Sequence, residues 1–252
     1  MEKDCLVIGK KPVQEAIKGR RRVNEIFLSK DLNKKFRDFI SKWAGQEEID
    51  LHEVSSDKLE QLVGATEHQG VAAVTEPFIY STLSEVVDKY LAKGEKDVVD
   101  PSLTLLALDH LTDPQNFGAI LRTADAAGVN GVIIPNRRSV DITPAVVKAS
   151  SGASEHVPVI KVSNIRQEVR KLKEQWVWVI GTDVQGDRSI YQENLNMPLI
   201  VVVGNESSGI SSAMKKECDL LVNIPMNGAM NSLNASVATA LVLYEVYRQK
   251  TE

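Results

Sequence analysis

The sequence predicts an α/β protein in two parts, and three observations carry that expectation. From Leu103 onward, near-continuous apolar runs alternate with helical stretches: LTLLALD (103–109), GVIIP (131–135), VPVIKV (157–162), WVWVIG (176–181), LIVVVG (199–204) and LLVNIP (220–225). Strands apolar on both faces, separated by helices, build a mainly parallel sheet covered on both sides. Residues 1–77 carry a separate apolar set on shorter strands and helices, large enough for a small domain. Between them, residues 78–102 hold one amphipathic helix, Leu83–Leu91, and then the charged, proline-ended KGEKDVVDPS, which reads as a linker. The expected layout is a domain over 1–77, a linker over 78–102 and a larger domain over 103–252.

In the smaller part, Val13–Lys18 reads as a short helix after Pro12, and VNEIFLS (23–29) as a strand. Lys34–Ala44 is helical, with Phe36, Phe39, Ile40 and Trp43 on one face. Asp57–Val63 reads as another helix, begun by Ser55 or Ser56, and GVAAVTE (70–76) as a strand. The last helix of the larger part follows the loop after Ile224, with apolar residues at Val237, Leu241, Tyr244 and Tyr247.

Composition narrows the class. Of 252 residues, 43% are hydrophobic and 25% charged, an ordinary globular balance. The apolar run LIVVV is too short to cross a bilayer, and the start MEKDCLVIGKK lacks a signal-peptide core. A cytoplasmic protein without a membrane segment is expected. Cys5 and Cys218 sit far apart in apolar contexts and read as buried thiols. Four scattered histidines offer no metal-ligand spacing, so no metal is expected. The net charge of −4 means that a nucleic-acid partner would need a local basic patch. Candidates are Lys18, Arg20, Arg21 and Arg22, with Lys10 and Lys11 upstream, and Lys30, Lys34, Lys35 and Arg37. By itself a charge run of this kind reads first as a solvated face.

Three segments place polar residues at strand ends, where open α/β sheets bind ligands. In LDHLTDPQNFGAILRTADAAGV (108–129), Asp113 can cap a helix and Pro114 suits its first position. Asn116 then falls in the first turn and Arg122 about two turns in, while Gly128 ends the helix. An arginine among Ile120, Leu121, Ala124 and Ala127 either snorkels to water or is held for an anion. In VVVGNESSGI (201–210), Gly204 lets the chain turn off a buried strand, with Asn205 and Glu206 at its end. The third segment, IPMNGAMNSLNASVATAL (224–241), is a polar loop feeding a helix N-terminus whose N–H groups are unpaired. There is no G-x-G-x-x-G after a strand, no P-loop and no G-x-S-x-G elbow. Dehydrogenase, NTPase and serine-hydrolase readings therefore lack support.

In this order and spacing, DPQNFGAILRTADAAGV, VVVGNESSGI and IPMNGAMNSLNASVATAL resemble the three motifs of the SpoU (TrmH) branch of the SPOUT RNA methyltransferases, over about residues 103–248. IGKKPVQEAI (8–17) and EHQGVAAV (67–74) look like that family's small substrate-binding domain, of the L30e type. The two-part layout resembles the bacterial enzymes that methylate a guanosine 2′-hydroxyl of 23S rRNA. The resemblance implies a C-terminal SPOUT domain with a deep trefoil knot, an exception to the unknotted rule. It implies S-adenosylmethionine as cofactor, held largely by backbone at Gly204, Ile224 and Leu233, and a homodimer. It implies a catalytic set of Asn116, Arg122, Glu206, Ser232 and Asn234, with Ser232 and Asn234 shaping the cofactor loop.

The implied reaction is methyl transfer from a sulfonium to a ribose 2′-oxygen, where positioning supplies much of the rate. Arginine is a poor base, its pKa exceeding about 12. The expected role of Arg122 is therefore to bind the adjacent RNA phosphate and stabilise the developing alkoxide. Asn116 and Glu206 would orient Arg122 or the ribose. Ser207 departs from the family pattern, which often has glycine directly after the glutamate. Other expectations are the same chemistry on tRNA or another rRNA position, and a non-catalytic RNA-binding or assembly factor on the same fold.

Overall fold

The computed structural model describes residues 5–64, 66–90, 99–229 and 231–252. It divides into two compact units, one of residues 1–79 with 141–156 and one of residues 80–140 with 157–252. The chain begins with β1 (Leu6–Ile8), α1 (Lys10–Lys18), β2 (Val23–Ser29), α2 (Lys34–Gln46), β3 (Asp50–Val54), α3 (Ser56–Val63) and β4 (Val71–Thr75). These strands form one sheet in the order β1-β4-β2-β3, with β2 and β3 parallel and the other pairs antiparallel. Asn33 caps α2 by accepting from the Phe36 N–H at 2.9 Å, and Ser55 caps α3 by accepting from the Lys58 N–H at 3.3 Å. Gly64 closes α3 in the left-handed region, at φ 66°. Ile40 and Ala44 are the buried residues of α2, while Phe36, Phe39 and Trp43 are half-buried.

The second unit begins with α4 (Leu83–Val87), β5 (Thr104–Asp109), α5 (Pro114–Ala126) and β6 (Gly131–Pro135). Next along the chain, α6 (Pro144–Ala149) and a 3₁₀ turn (Ala153–Glu155) belong to the first unit. The second unit resumes with β7 (Val159–Val162), α7 (Ile165–Glu174), β8 (Trp178–Thr182), β9 (Arg188–Ser189) and β10 (Leu199–Gly204). It ends with α8 (Ser212–Lys215), β11 (Leu220–Asn223) and α9 (Ala235–Thr251). Its sheet runs β7-β6-β5-β10-β8-β11-β9, every pair parallel. β5, β6 and β10 are buried along their whole length, as continuous apolar runs require. Among the described residues, no helix is long and apolar enough to cross a membrane.

Three expectations change. Within residues 78–102, 91–98 lie outside the described residues; the rest is no free spacer. Helix α4 stops at Val87, and Val86, Val87 and Val99 are buried in the core of the second unit. The first unit also gains residues 141–156, which a split at a single boundary leaves out. Arg21, expected to contact RNA, is buried instead. Its Nε donates to Glu155 Oε2 at 3.0 Å and its Nη2 to Glu155 Oε1 at 2.7 Å. Both side chains are nearly closed to solvent, at 3% and 1% exposure. A guanidinium fork meets a carboxylate best when bidentate, and burial takes this charge away from any phosphate. Lys18, Arg20 and Arg22 remain exposed.

Candidate active site

The parallel strands all end on one edge of the sheet, among them β5 at Asp109, β8 at Thr182, β10 at Gly204 and β11 at Asn223. From β5 the chain steps outward through β6 and β7, then returns to build β8, β10 and β11 on the other side. Such a reversal of strand order opens a crevice at the carboxyl ends of the strands. Gly204 pairs with Asp109 there, so the loops after β5 and β10 start side by side.

The loop after β10 is held closed by its backbone. Asn205 and Gly209 exchange both N–H···O bonds, at 3.2 and 2.8 Å. A Cβ at Gly204 would lie 2.0 Å from the Gly209 carbonyl carbon, so no other residue fits there. Gly209 carries the left-handed turn at φ 64°, whereas Ser207 has no positive φ. The serine that departs from the family pattern therefore costs the loop no strain. Instead its N–H donates to Asn205 Oδ1 at 2.9 Å. Asn205 Nδ2 donates to the His110 carbonyl at 3.2 Å, tying this loop to the end of β5. Asp109, which the sequence reading passed over, is buried; its Oδ2 accepts the Ser211 N–H at 2.9 Å, and its Oδ1 lies 2.7 Å from His110 Nδ1. An acid ending an otherwise apolar strand was its signal.

Side chains from the three motif segments meet in one chain of hydrogen bonds. Asp113 caps α5, accepting from the Gln115 and Asn116 N–H groups, with Pro114 in the first turn. Asn234 caps α9: its Oδ1 accepts from the Ser236 N–H at 2.9 Å and the Val237 N–H at 3.4 Å. An oxygen facing two N–H groups fixes which end of that amide is which. Its Nδ2 therefore donates to Asn116 Oδ1 at 2.9 Å, and Asn116 Nδ2 donates to Glu206 Oε1 at 2.6 Å. Arg122 is exposed on α5, six residues past Asn116 and so about 9 Å further along the axis.

Next to this chain lies a cavity of about 380 Å³, lined by Gly204, Glu206, Ile224, Ser232 and Leu233 of the expected set. That volume falls in the range of small-ligand sites, roughly 300–1,000 Å³. The wall also includes Asp183, from the loop after β8, and Lys215, on α8, which form an ion pair. Burial pushes the Asp183 carboxyl up, but the Lys215 ammonium and the Gln185 N–H outweigh it and hold the carboxyl below its ordinary value. Neither residue stood out in sequence, because Asp183 and Lys215 belong to segments with no motif of their own.

The fold and this site define an α/β protein with a cavity of small-ligand size at the reversal point of a parallel sheet. Sequence comparison gives the family. The pattern of the SpoU rRNA Methylase family matches residues 104–244, and that of RNA 2′-O ribose methyltransferase substrate binding matches residues 6–81. The chain belongs to the SpoU rRNA methylase family and is an RNA 2′-O-ribose methyltransferase. A Staphylococcus aureus (strain COL) protein, by name a TrmH family tRNA/rRNA methyltransferase, is 42% identical over 98% of this chain and 97% of its own length. Among solved structures, the SpoU methyltransferase AviRb from Streptomyces viridochromogenes with AdoMet is 26% identical, with a TM-score of 0.77, covering 98% of this chain and 90% of its own. The A. aeolicus TrmH/SpoU tRNA modifying enzyme is 29% identical, with a TM-score of 0.53, covering 66% of this chain and 82% of its own.

Proposed function

We propose that this enzyme transfers a methyl group from S-adenosylmethionine to the ribose 2′-oxygen of a guanosine in 23S rRNA. The observation that carries the proposal is the Glu206–Asn116–Asn234 chain, which joins all three motif segments beside the cavity. The cavity fits the cofactor in size and in its mixed lining, with carboxylates for positive centres and apolar Ile224 and Leu233 for an adenine ring. Gly204, Ile224 and Leu233 would hold it through their backbone. When bound, S-adenosylmethionine supplies an electrophilic methyl on a sulfonium.

The chain's own residues position the acceptor. Asn116 and Glu206 fix the rim of the cavity, and Asn234 locks α9 to them through its cap. Ser232 lines the cavity. Arg122 binds the phosphate next to the target and stabilises the negative charge growing on the 2′-oxygen as its proton passes to solvent water. Lys18, Arg20 and Arg22 are among the exposed cations of the substrate-binding region and are suited to phosphate contacts that fix register. We place the trefoil knot in the loops after β10 and β11, and the protein in the cytoplasm.

The ribosomal target is supported by the extra domain. The tRNA modifying enzyme matches two thirds of this chain, and the family whose pattern matches residues 104–244 is by description one of rRNA methylases. A homodimer is supported by α9, on which Val237, Leu241, Tyr244 and Tyr247 are exposed; a groove lined by Ala119 and Thr123 of α5 runs along the same face. Transfer of labelled methyl to unmodified 23S rRNA and to tRNA, by wild type, Arg122→Ala and Arg122→Lys, tests the assignment. Label on 23S rRNA that both variants lose supports it. Label on tRNA alone moves the substrate, and full activity of Arg122→Lys removes the specific guanidinium role.

A further inference from the structure

We infer that Lys215 is the counter-ion for the α-carboxylate of the bound cofactor and that Asp183 is the residue that positions it; this rests on the cofactor reading above. Among the described residues lining the cavity, Lys215 is the sole cation, and two carboxylates, Asp183 and Glu206, line it as well. S-adenosylmethionine has the complementary set: a sulfonium and an ammonium, and one carboxylate. Glu206 is engaged through Oε1 by Asn116. With Asp183 engaged by Lys215 and Gln185, Glu206 is the acid left beside the cofactor's positive centres, and its one negative group is left to Lys215.

The geometry makes Lys215 a fixed donor. A lysine has a long flexible stem, and ordering it costs rotamer entropy. Here the ammonium is anchored on Asp183, whose side chain is only 9% exposed. Asp183 is itself set by backbone: its N–H donates to the Val222 carbonyl at 2.9 Å, its carbonyl accepts the Gly186 N–H at 3.0 Å, and its Oδ1 accepts the Gln185 N–H at 2.9 Å. A Cβ at Gly186 would lie 2.8 Å from the Val222 carbonyl carbon, so this loop lies flat against β11. An ammonium has three donors, and Asp183 uses one. The Lys215 side chain, 35% exposed on the cavity wall, can direct another at a ligand carboxylate.

The test is calorimetric titration of the full chain with two ligands, S-adenosylhomocysteine and 5′-methylthioadenosine, the second lacking the amino-acid end. Lys215→Gln is expected to weaken S-adenosylhomocysteine by roughly ten- to a hundredfold, the loss of a charged hydrogen bond. It should leave methylthioadenosine within about twofold of wild type, because that ligand never makes the contact. Because Lys215→Gln strands the Asp183 charge, the double variant Asp183→Asn/Lys215→Gln is measured beside it, with the same selective loss expected. Equal loss for both ligands, or wild-type affinity for S-adenosylhomocysteine in either variant, overturns the inference while leaving the cofactor reading intact. Failure of the wild type to bind S-adenosylhomocysteine overturns both.

Discussion

Replacing Glu155 with glutamine tests the reassignment of Arg21. In the folded protein the Arg21 guanidinium has two short bonds to that carboxylate, and the Phe78 ring lies 5.9 Å away. With the side chains at 3% and 1% exposure, water cannot replace the lost charge. Breaking a buried pair from one side costs about 3–5 kcal/mol. At roughly 2–4 °C per kcal/mol for a chain of this size, Glu155→Gln should lower Tm by about 6–20 °C. Differential scanning calorimetry reads the shift. Arg22→Ala, at an exposed neighbouring position, should stay within about 0.5 kcal/mol of wild type. Arg21→Met with Glu155→Leu removes both charges and should recover much of the loss. A Tm for Glu155→Gln within a degree or two of wild type would refute the structural role and return Arg21 to the RNA candidates.

Gly204→Ala forces a Cβ against the Gly209 backbone; the strain, about 1–3 kcal/mol of overpacking, should weaken S-adenosylhomocysteine roughly tenfold or more, and unchanged affinity by calorimetry contradicts it. Burial, with help from the Asp219 carboxylate, pushes the Cys218 thiol up to about 12, so at pH 8 it stays protonated and should resist iodoacetamide until the protein unfolds. Burial pushes the Lys250 ammonium down to about 8, against about 10.4 for a free lysine. Between those values the unfolded chain holds a proton the folded chain has shed, so this group's contribution makes stability rise with pH across that window and is least favourable below it. Denaturant unfolding at pH 7 to 10.5 should show that part of the slope vanish in Lys250→Met. Leu241→Arg should convert a dimer to a monomer by light scattering; a wild type that is already monomeric removes the dimer proposal.

What was legible in the sequence was local. Asp113 and Pro114 announce the start of α5 because capping and a fixed φ act within one turn. β5, β6 and β10 announce themselves by unbroken apolar runs. The motif residues were legible too, since Asn116, Glu206 and Asn234 stand at helix starts and strand ends. What failed was long-range. Arg21 sits in a basic run, and nothing nearby reveals a partner at Glu155. Helix α9 is apolar nearly all round, so its pattern could not choose a face. Val242 and Val246 are buried, whereas Val237, Leu241, Tyr244 and Tyr247, read as its apolar residues, are exposed. Asp183 and Lys215 converge only once β8 and α8 are placed, and no spacing records that.

The most direct measurement is transfer of labelled methyl from S-adenosylmethionine to unmodified 23S rRNA by wild type and Asn116→Ala, with the RNA digested to nucleosides. Asn116 bridges Glu206 and Asn234, so its loss should uncouple all three motif segments. Label in 2′-O-methylguanosine is expected with wild type, and a rate lower by roughly a hundredfold or more in the variant, as misplacement of an aligned site costs. Label on a base, or an Asn116→Ala enzyme as fast as wild type, would contradict the proposed function.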